Sequence, residues 1–209
     1  MKWVVIAGGV IAVSGKIVMR KLRISDITEL AHFFAGSVLA PGDIAVDCTA
    51  GNGNDMLFLL KATGPDGFVY GFDIQAEAIS ATRALLDRAG ITPERYSLAR
   101  RSHAELAEEV RGPVSAFMFN LGYLPGGDRS VTTEPEEVKA GLGAAMEMLR
   151  ANGLITVVIY TGHEGGRAEL DALLDFGASV DDRRFRVMHV SNMNGGRPSP
   201  SIMVIQKKG

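Results

Sequence analysis

The amino-acid sequence predicts an α/β fold with a mostly parallel seven-stranded sheet, an antiparallel last strand and helices on both faces. From residue 24 onwards, seven short apolar runs of strand length alternate with amphipathic helical patterns. Alternation of this kind indicates parallel strands joined by helices that cover both faces of the sheet. The last two apolar runs are separated only by a Gly/Pro-rich loop, which indicates that one of the two closing strands is antiparallel.

The predicted elements follow one another with recognisable boundaries. Strands are expected at 44–48, 68–73, 95–100, 115–120, 154–160, 185–191 and 201–206, where apolar residues run without interruption. Helices are expected at 25–39, 55–63, 76–90, 104–110, 134–153 and 166–177. Ser25 can cap the first helix, Gly90 ends the third, and Arg150 suits the negative end of the fifth.

Composition limits the classes of function. The chain has 209 residues and a net charge of −2, which suits one domain with no global attraction to nucleic acid. Any contact with RNA must use local clusters such as Arg100-Arg101 or 183–186, which equally suit a solvated surface. The single cysteine, Cys48, excludes an internal disulfide and fits a cytoplasmic protein. None of the four histidines has metal-ligand spacing, so no metal is expected.

The first 23 residues are expected to form an N-terminal extension of uncertain role before a single domain at 24–209. The apolar part, Trp3 to Val13, is too short to span a bilayer, so no membrane association is expected. It resembles the apolar core of a signal peptide, but most of its basic residues follow it rather than precede it. The Gly-rich run 8–16 also fails as a phosphate loop, because its glycines are spaced one residue too far apart.

The ends of the first two strands of the main pattern indicate a ligand that contains adenosine. Gly51 and Gly53 follow the first strand and allow the backbone to approach a ligand closely. Asp73 ends the next strand, where a carboxylate can accept both hydroxyls of a ribose. A plain strand-to-helix turn and a helix cap by Asp73 are the structural alternatives.

Within this class, the residues favour S-adenosylmethionine over NAD. Met56 stands where a dinucleotide fingerprint has its third glycine, and Asp55 would repel a pyrophosphate. Asn52 and Asn54 can instead contact the amino-acid head of S-adenosylmethionine. After the third strand, Ser102 and His103 can line the adenine edge. A cap by Ser102 beside a surface histidine is the alternative there.

The fourth strand ends in Asn120-Leu121-Gly122-Tyr123, which has the Asn-x-x-Tyr spacing found in methyltransferases that act on amino nitrogens. The Asn120 side-chain oxygen and the Leu121 carbonyl can accept hydrogen bonds from an amine. These bonds would aim the lone pair of the amine at a methyl group. Tyr123 can stack on a flipped base, and Gly122 leaves room for it. A loop of no chemical meaning is the alternative.

The fifth strand brings Tyr160 and His163 to the same rim as candidate substrate-binding residues. A loop histidine without a chemical role explains His163 equally well.

Together these residues resemble the bacterial YtqB/MnmM-type methyltransferases, once labelled rRNA methylases. The similarity extends from about residue 24 to the end and rests on DCTAGNGND, GFDIQ, FNLGYLPGGD, TTEPEEV and VIYTGHEGG. It implies a Rossmann-like class I fold, S-adenosylmethionine as donor and often a homodimer. It also implies tRNA as partner, methylated on the aminomethyl nitrogen of 5-aminomethyl-2-thiouridine at the wobble position. The family's donor contacts fall on Asn52, Asn54, Asp73, Gln75, Ser102 and His103.

Several departures from the family leave other functions open. Residues 1–23 have no counterpart, Cys48 replaces a smaller residue, and the loop 192–201 is longer and poorer in Asn-Pro. An rRNA methyltransferase or a small-molecule amine methyltransferase would share every donor residue. An NAD-dependent oxidoreductase or a non-catalytic adenosine-binding module is a more remote alternative.

Overall fold

The structure, a computed structural model, describes residues 22–122, 135–162, 165–194 and 198–209. Before residue 22 it describes only the backbone of three short strands, β1 (Val5–Ala7), β2 (Val10–Val13) and β3 (Lys16–Met19). These three strands pair antiparallel with one another and form a sheet separate from the main one. Within the described residues, no helix is both long enough and apolar enough to cross a bilayer.

The main sheet has seven strands in the order β6-β5-β4-β7-β8-β10-β9. Its strands are β4 (Ile44–Asp47), β5 (Phe68–Asp73), β6 (Tyr96–Arg100), β7 (Val114–Leu121), β8 (Leu149–Ile159), β9 (Phe185–Ser191) and β10 (Ser201–Lys207). The first five are parallel, whereas β10 runs antiparallel to both β8 and β9. The prediction of a mostly parallel sheet with an antiparallel last strand is therefore confirmed.

The described residues include six α-helices. They are α1 (Ile27–Gly36), α2 (Asn54–Ala62), α3 (Ala76–Arg88), α4 (Leu106–Glu109), α5 (Pro135–Met148) and α6 (Gly166–Ser179). Because β4 lies between β5 and β7, the chain leaves the centre of the sheet in one direction and then resumes on the other side. The carboxyl ends of β4 and β7 meet at this change in strand order, which is where ligands bind in open α/β sheets.

Both faces of the sheet are buried. Along β7, Phe117 and Phe119 belong to one apolar cluster, and Ala116 and Met118 belong to the cluster on the opposite face. This alternation follows from the two-residue period of a strand. Full burial of a large apolar side chain contributes about 1.5–3 kcal/mol. This burial holds the central strand firmly, so Asn120, the polar residue near its carboxyl end, stands at a fixed position.

Two predictions about helix ends are wrong. Asp26, not Ser25, caps α1, because its carboxylate accepts hydrogen bonds from the Thr28 and Glu29 amides at 3.2 and 3.1 Å. Arg150 lies in β8 rather than in a helix, because α5 ends at Met148 and β8 begins at Leu149. Its guanidinium donates to the Ser115 hydroxyl at 2.6 Å, a tertiary contact that sequence periodicity does not reveal.

Candidate active site

A cavity of about 500 Å³ opens at the carboxyl ends of β4, β5, β6, β7 and β8. Its lining includes most of the residues that the sequence singled out: Gly51, Asn52, Asn54, Asp73, Gln75, Ser102, His103, Asn120, Leu121, Gly122 and Tyr160. Five separate strand ends therefore converge on one site. The predicted residues Tyr123 and His163 lie outside the described residues.

Gly53 is the described candidate that does not line the cavity. It precedes α2 with φ of 85°, and a Cβ at this position would lie only 2.9 Å from the Thr82 Cα on α3. Thr82 in turn donates a hydrogen bond to the Gly51 carbonyl at 3.1 Å. Gly53 thus acts on the site indirectly, by allowing α3 to pack against the loop that carries Gly51 and Asn52.

Asp73 holds this loop from the side of β5. Its Oδ2 accepts a hydrogen bond from the Gly51 amide at 3.0 Å, and its Oδ1 accepts one from the Gln75 amide at 2.9 Å. A carboxylate oxygen can accept two hydrogen bonds, so each oxygen retains capacity for a ligand hydroxyl. Ile74 beside it is 46% exposed and also lines the cavity, where it offers an apolar face next to the carboxylate.

The end of β6 supplies a hydroxyl and an imidazole. The Ser102 hydroxyl accepts a hydrogen bond from the Ala104 amide and donates one to Glu137, both at 3.2 Å. His103 is buried and packs edge-on against Phe119 with ring centroids 5.5 Å apart. Burial lowers the pKa of His103 below its ordinary value of 6.5, against the opposing effect of the Glu137 charge. The alternative of a surface histidine at this position is therefore wrong.

Asn120, at the end of β7, is anchored by two separate hydrogen bonds. Its backbone amide donates to the Thr49 hydroxyl at 2.8 Å, and its side-chain amide donates to Asp55 Oδ2 at 2.5 Å. None of the described residues donates a hydrogen bond to its side-chain oxygen. The acceptor atom that the sequence assigned to an amine is therefore the atom that remains available.

Asp55 is held by a third residue, His32 on α1. The His32 Nε2 atom lies 2.7 Å from Asp55 Oδ1, and the imidazole stacks on Phe58 with ring centroids 4.0 Å apart. The side chains of His32 and Asp55 are only 18% and 7% exposed. Sequence reasoning did not find His32, since it lies 23 residues before Asp55 and in no recognisable motif.

Burial shifts the pKa of two ionisable groups at the end of β4. Burial raises the pKa of the Asp47 carboxyl well above its ordinary value of 3.8, and the charges of Asp55 and Asp73 raise it further. Burial also raises the pKa of the Cys48 thiol well above its ordinary value of 9.0. Asp47 Oδ1 accepts a hydrogen bond from the Thr49 amide at 3.1 Å, which fixes the residue that supports Asn120.

The side of the cavity opposite Asp73 has a different character. Tyr160 is 37% exposed there, and Gly122, with φ of 144°, lies against its side chain. Pro198 and Pro200 from the loop before β10 complete this wall, and the Thr161 hydroxyl donates to the Ser199 carbonyl at 3.4 Å. Neither proline was predicted. This wall presents aromatic and apolar groups, against which a planar ring of a ligand can pack.

Most arginines of the two basic clusters are engaged in exposed ion pairs, whereas Arg100 donates to the Ile74 carbonyl at 3.2 Å. Arg101 contacts Glu105, Glu108 and Glu109. The second cluster pairs likewise, with Arg183 on Asp181, Arg184 on Glu147 and Arg186 on Asp182. Exposed pairs of this kind contribute about 0–1 kcal/mol each, so a phosphate could compete for the arginines. In the described part of the chain, no group of three or more His, Cys, Asp or Glu residues is placed to hold a metal ion.

Comparison with solved structures identifies the class of fold. A protein from Clostridium thermocellum described as an rRNA methylase is 39% identical, with a TM-score of 0.86 over 89% of this chain and 100% of that one. A methyltransferase from Streptococcus mutans, solved in complex with SAH, is 34% identical, with a TM-score of 0.79 over 88% and 99% of the two chains. The fold is that of the class I methyltransferases.

The family described as "Putative rRNA methylase" matches residues 69–206, and the chain belongs to it. Among curated proteins, the tRNA (mnm(5)s(2)U34)-methyltransferase, chloroplastic, of Arabidopsis thaliana is 41% identical over 162 residues. The match covers 73% of this chain but only 59% of the length of that plant protein.

Proposed function

We propose that the chain is an S-adenosylmethionine-dependent methyltransferase that methylates the aminomethyl nitrogen of 5-aminomethyl-2-thiouridine at the tRNA wobble position. The observation that carries the proposal is the available side-chain oxygen of Asn120, which shares one cavity with the Asp73 carboxylate. Family membership supports methyl transfer, and the name of the plant relative supports the tRNA substrate. The solved relative with SAH supports the donor.

The residues on the Asp73 side fit the donor. The Asp73 oxygens have remaining capacity for two ribose hydroxyls, and the exposed face of Ile74 suits contact with an adenine ring. Burial lowers the pKa of His103, which favours the neutral imidazole for a contact with the base edge. The exposed side chains of Asn52 and Asn54 are available to the amino-acid head.

A dinucleotide fits this site less well. Met56, which occupies the place of the third fingerprint glycine, is fully buried, and its sulfur would lie 2.7 Å from a Cβ placed on Gly71. The close helix approach that a pyrophosphate site obtains from a glycine is therefore replaced by side-chain packing. Buried Asp55 also places a carboxylate in the first turn of α2, where a phosphate would otherwise bind.

When bound, S-adenosylmethionine supplies an electrophilic methyl group on a sulfonium, and its transfer leaves a neutral thioether. The Asn120 side-chain oxygen accepts a hydrogen bond from the substrate amine, and the Leu121 carbonyl is proposed to accept a second hydrogen bond. These contacts aim the nitrogen lone pair at the methyl carbon as the N–C bond forms and the S–C bond breaks. Positioning of this kind supplies much of the rate. The nitrogen loses a proton to solvent, so the neutral fraction of the amine sets the pH dependence.

Tyr160, Gly122 and the two prolines form the proposed binding surface for the flipped base. The stacking role of Tyr123, which lies outside the described residues, stays a prediction from the sequence. Base–aromatic stacking contributes about 1–3 kcal/mol for each base. We further infer RNA binding through the exposed arginine clusters, a homodimer, and action in the cytoplasm. The arginines and the free, buried thiol of Cys48 are consistent with the first and last of these.

The decisive experiment measures transfer of a labelled methyl group from S-adenosylmethionine to tRNA bearing 5-aminomethyl-2-thiouridine. Unmodified tRNA is the control, and Asn120→Ala is the test variant. Because the loss of one orienting contact disturbs in-line geometry, Asn120→Ala should lower the rate by on the order of 10²-fold, with donor affinity nearly unchanged. Equal methylation of unmodified tRNA, or full turnover by Asn120→Ala, would contradict the proposal. Transfer only to rRNA or to a small amine would identify one of the alternative acceptors.

A further inference from the structure

Asn120 carries a symmetrical-looking amide whose two ends have opposite chemistry. Its oxygen accepts hydrogen bonds and its nitrogen only donates them. A substrate amine whose lone pair must attack a methyl group has to donate its hydrogens to the protein. Only one of the two amide orientations therefore supports the proposed reaction, and a rotation of 180° about the last side-chain bond would present the wrong atom.

The hydrogen bond from Asn120 to Asp55 selects this orientation. A carboxylate offers only acceptor atoms, so the amide nitrogen must face it across the 2.5 Å contact. The opposite orientation would place the Asn120 oxygen against a buried, negatively charged oxygen. Because the Thr49 hydroxyl fixes the Asn120 backbone at the same time, the side-chain oxygen is left toward the cavity.

His32 in turn selects the orientation of the carboxylate. Its Nε2 atom contacts Asp55 Oδ1, and its ring stacks on the nearly parallel Phe58 ring at an interplanar angle of 5°. The two oxygens of Asp55 are thus divided, one to His32 and one to Asn120. We infer that His32 and Asp55 are positioning residues that fix the Asn120 amide with its oxygen toward the substrate amine. This inference rests on the proposed function of the same site.

A reciprocal exchange of the two side chains tests the inference. In Asn120→Asp alone, two carboxylates face each other at hydrogen-bond distance, so kcat should fall by on the order of 10²-fold. In the wild type the His32 Nε2 atom must carry a proton, because the Asp55 carboxylate can only accept. With that tautomer retained in Asp55→Asn, the new amide keeps its oxygen toward His32 and turns its NH₂ group toward Asn120, so the Asn120 amide turns over. We expect kcat to fall on the order of tenfold or more, with donor affinity nearly unchanged. Asp55→Ala, which has no amide to exchange, should show a loss of similar size.

The double variant Asp55→Asn with Asn120→Asp restores the pattern in reverse. The amide introduced at position 55 would donate to the carboxylate introduced at position 120, and the second oxygen of that carboxylate would again face the cavity as an acceptor. We therefore expect kcat of the double variant to exceed that of Asn120→Asp on the order of tenfold, because the carboxylate oxygen that accepts the hydrogen bond from the amine is repositioned. A merely structural role for Asp55 predicts losses that add. Additive losses in the folded double variant, or full turnover by Asp55→Asn, would overturn the inference.

A second measurement does not depend on which substrate receives the methyl group. The Asn120 side-chain NH₂ signal, assigned by its disappearance in Asn120→Asp, should exchange with solvent more slowly in the wild type than in Asp55→Ala, on the order of tenfold. Equal exchange rates would overturn the inference even if tRNA is methylated. If the wild type methylates another acceptor instead, the proposed substrate is wrong, and the same variants are compared on that acceptor. Thermal unfolding and donor affinity of each variant verify that the fold and donor site are intact.

Discussion

A methyl group added at Gly53 should damage both the fold and the donor site, and Gly90 provides a matched control. Both glycines have positive φ, 85° and 70°, but only at Gly53 would a Cβ meet other atoms. Alanine in a left-handed conformation costs roughly 1–2 kcal/mol at either position. At Gly53 the Cβ would also lie 2.9 Å from the Thr82 backbone, and overpacking of this kind adds about 1–3 kcal/mol.

Gly53→Ala should therefore lower the free energy of unfolding by about 2–5 kcal/mol, whereas Gly90→Ala should lower it by about 1–2 kcal/mol. The gain from a stiffer unfolded chain, about 0.4–1 kcal/mol, applies to both variants and cancels in the comparison. For a domain of this size each kcal/mol lowers Tm by about 2–4 °C. Calorimetric Tm and donor affinity are measured together. We expect weaker donor binding only in Gly53→Ala, and equal Tm losses with unchanged affinity in both variants would refute the packing argument.

Three further predictions concern the donor site, a buried acid and the N-terminal segment. Asp73→Ala should weaken S-adenosylmethionine binding by about 1.5–3 kcal/mol for each charged hydrogen bond lost, and equal affinities in titration calorimetry would exclude the ribose contact. Because the pKa of Asp47 is raised, the folded protein binds the carboxyl proton of Asp47 more tightly than the unfolded chain does. The stability of the wild type should therefore fall as pH rises above 3.8, where the unfolded chain loses this proton first. The Tm of Asp47→Asn relative to the wild type should therefore rise with pH, by about 2–4 °C for each kcal/mol, and a pH-independent difference would contradict this reading. Removal of residues 1–20 should leave donor affinity intact, whereas a folded truncated protein that no longer binds the donor would place that segment in the site.

The elements of the fold and the strand ends that form the cavity follow from the sequence. The alternation of apolar runs and amphipathic patterns reflects neighbours within a strand or a helical turn, and such periodicity survives without tertiary context. Gly51, Asp73 and Asn120 could be assigned to one site because carboxyl ends of parallel strands share one edge of the sheet. Their convergence on a single cavity agrees with that expectation. The roles assigned to them remain predictions.

Tertiary structure alone decided how these residues are supported. Asp55 and Asn120 are 65 positions apart, and their hydrogen bond depends on β7 lying beside β4, the strand that leads into α2. The contact of His32 with Asp55 likewise joins two helices and leaves no spacing signature. Arg150 illustrates the same limit of sequence reasoning. A basic residue at this point of the pattern suits a helix end, but in the structure Arg150 lies in β8 and donates to Ser115 on the neighbouring strand β7. Local preferences amount to fractions of a kcal/mol per residue, so buried contacts between distant residues outweigh them.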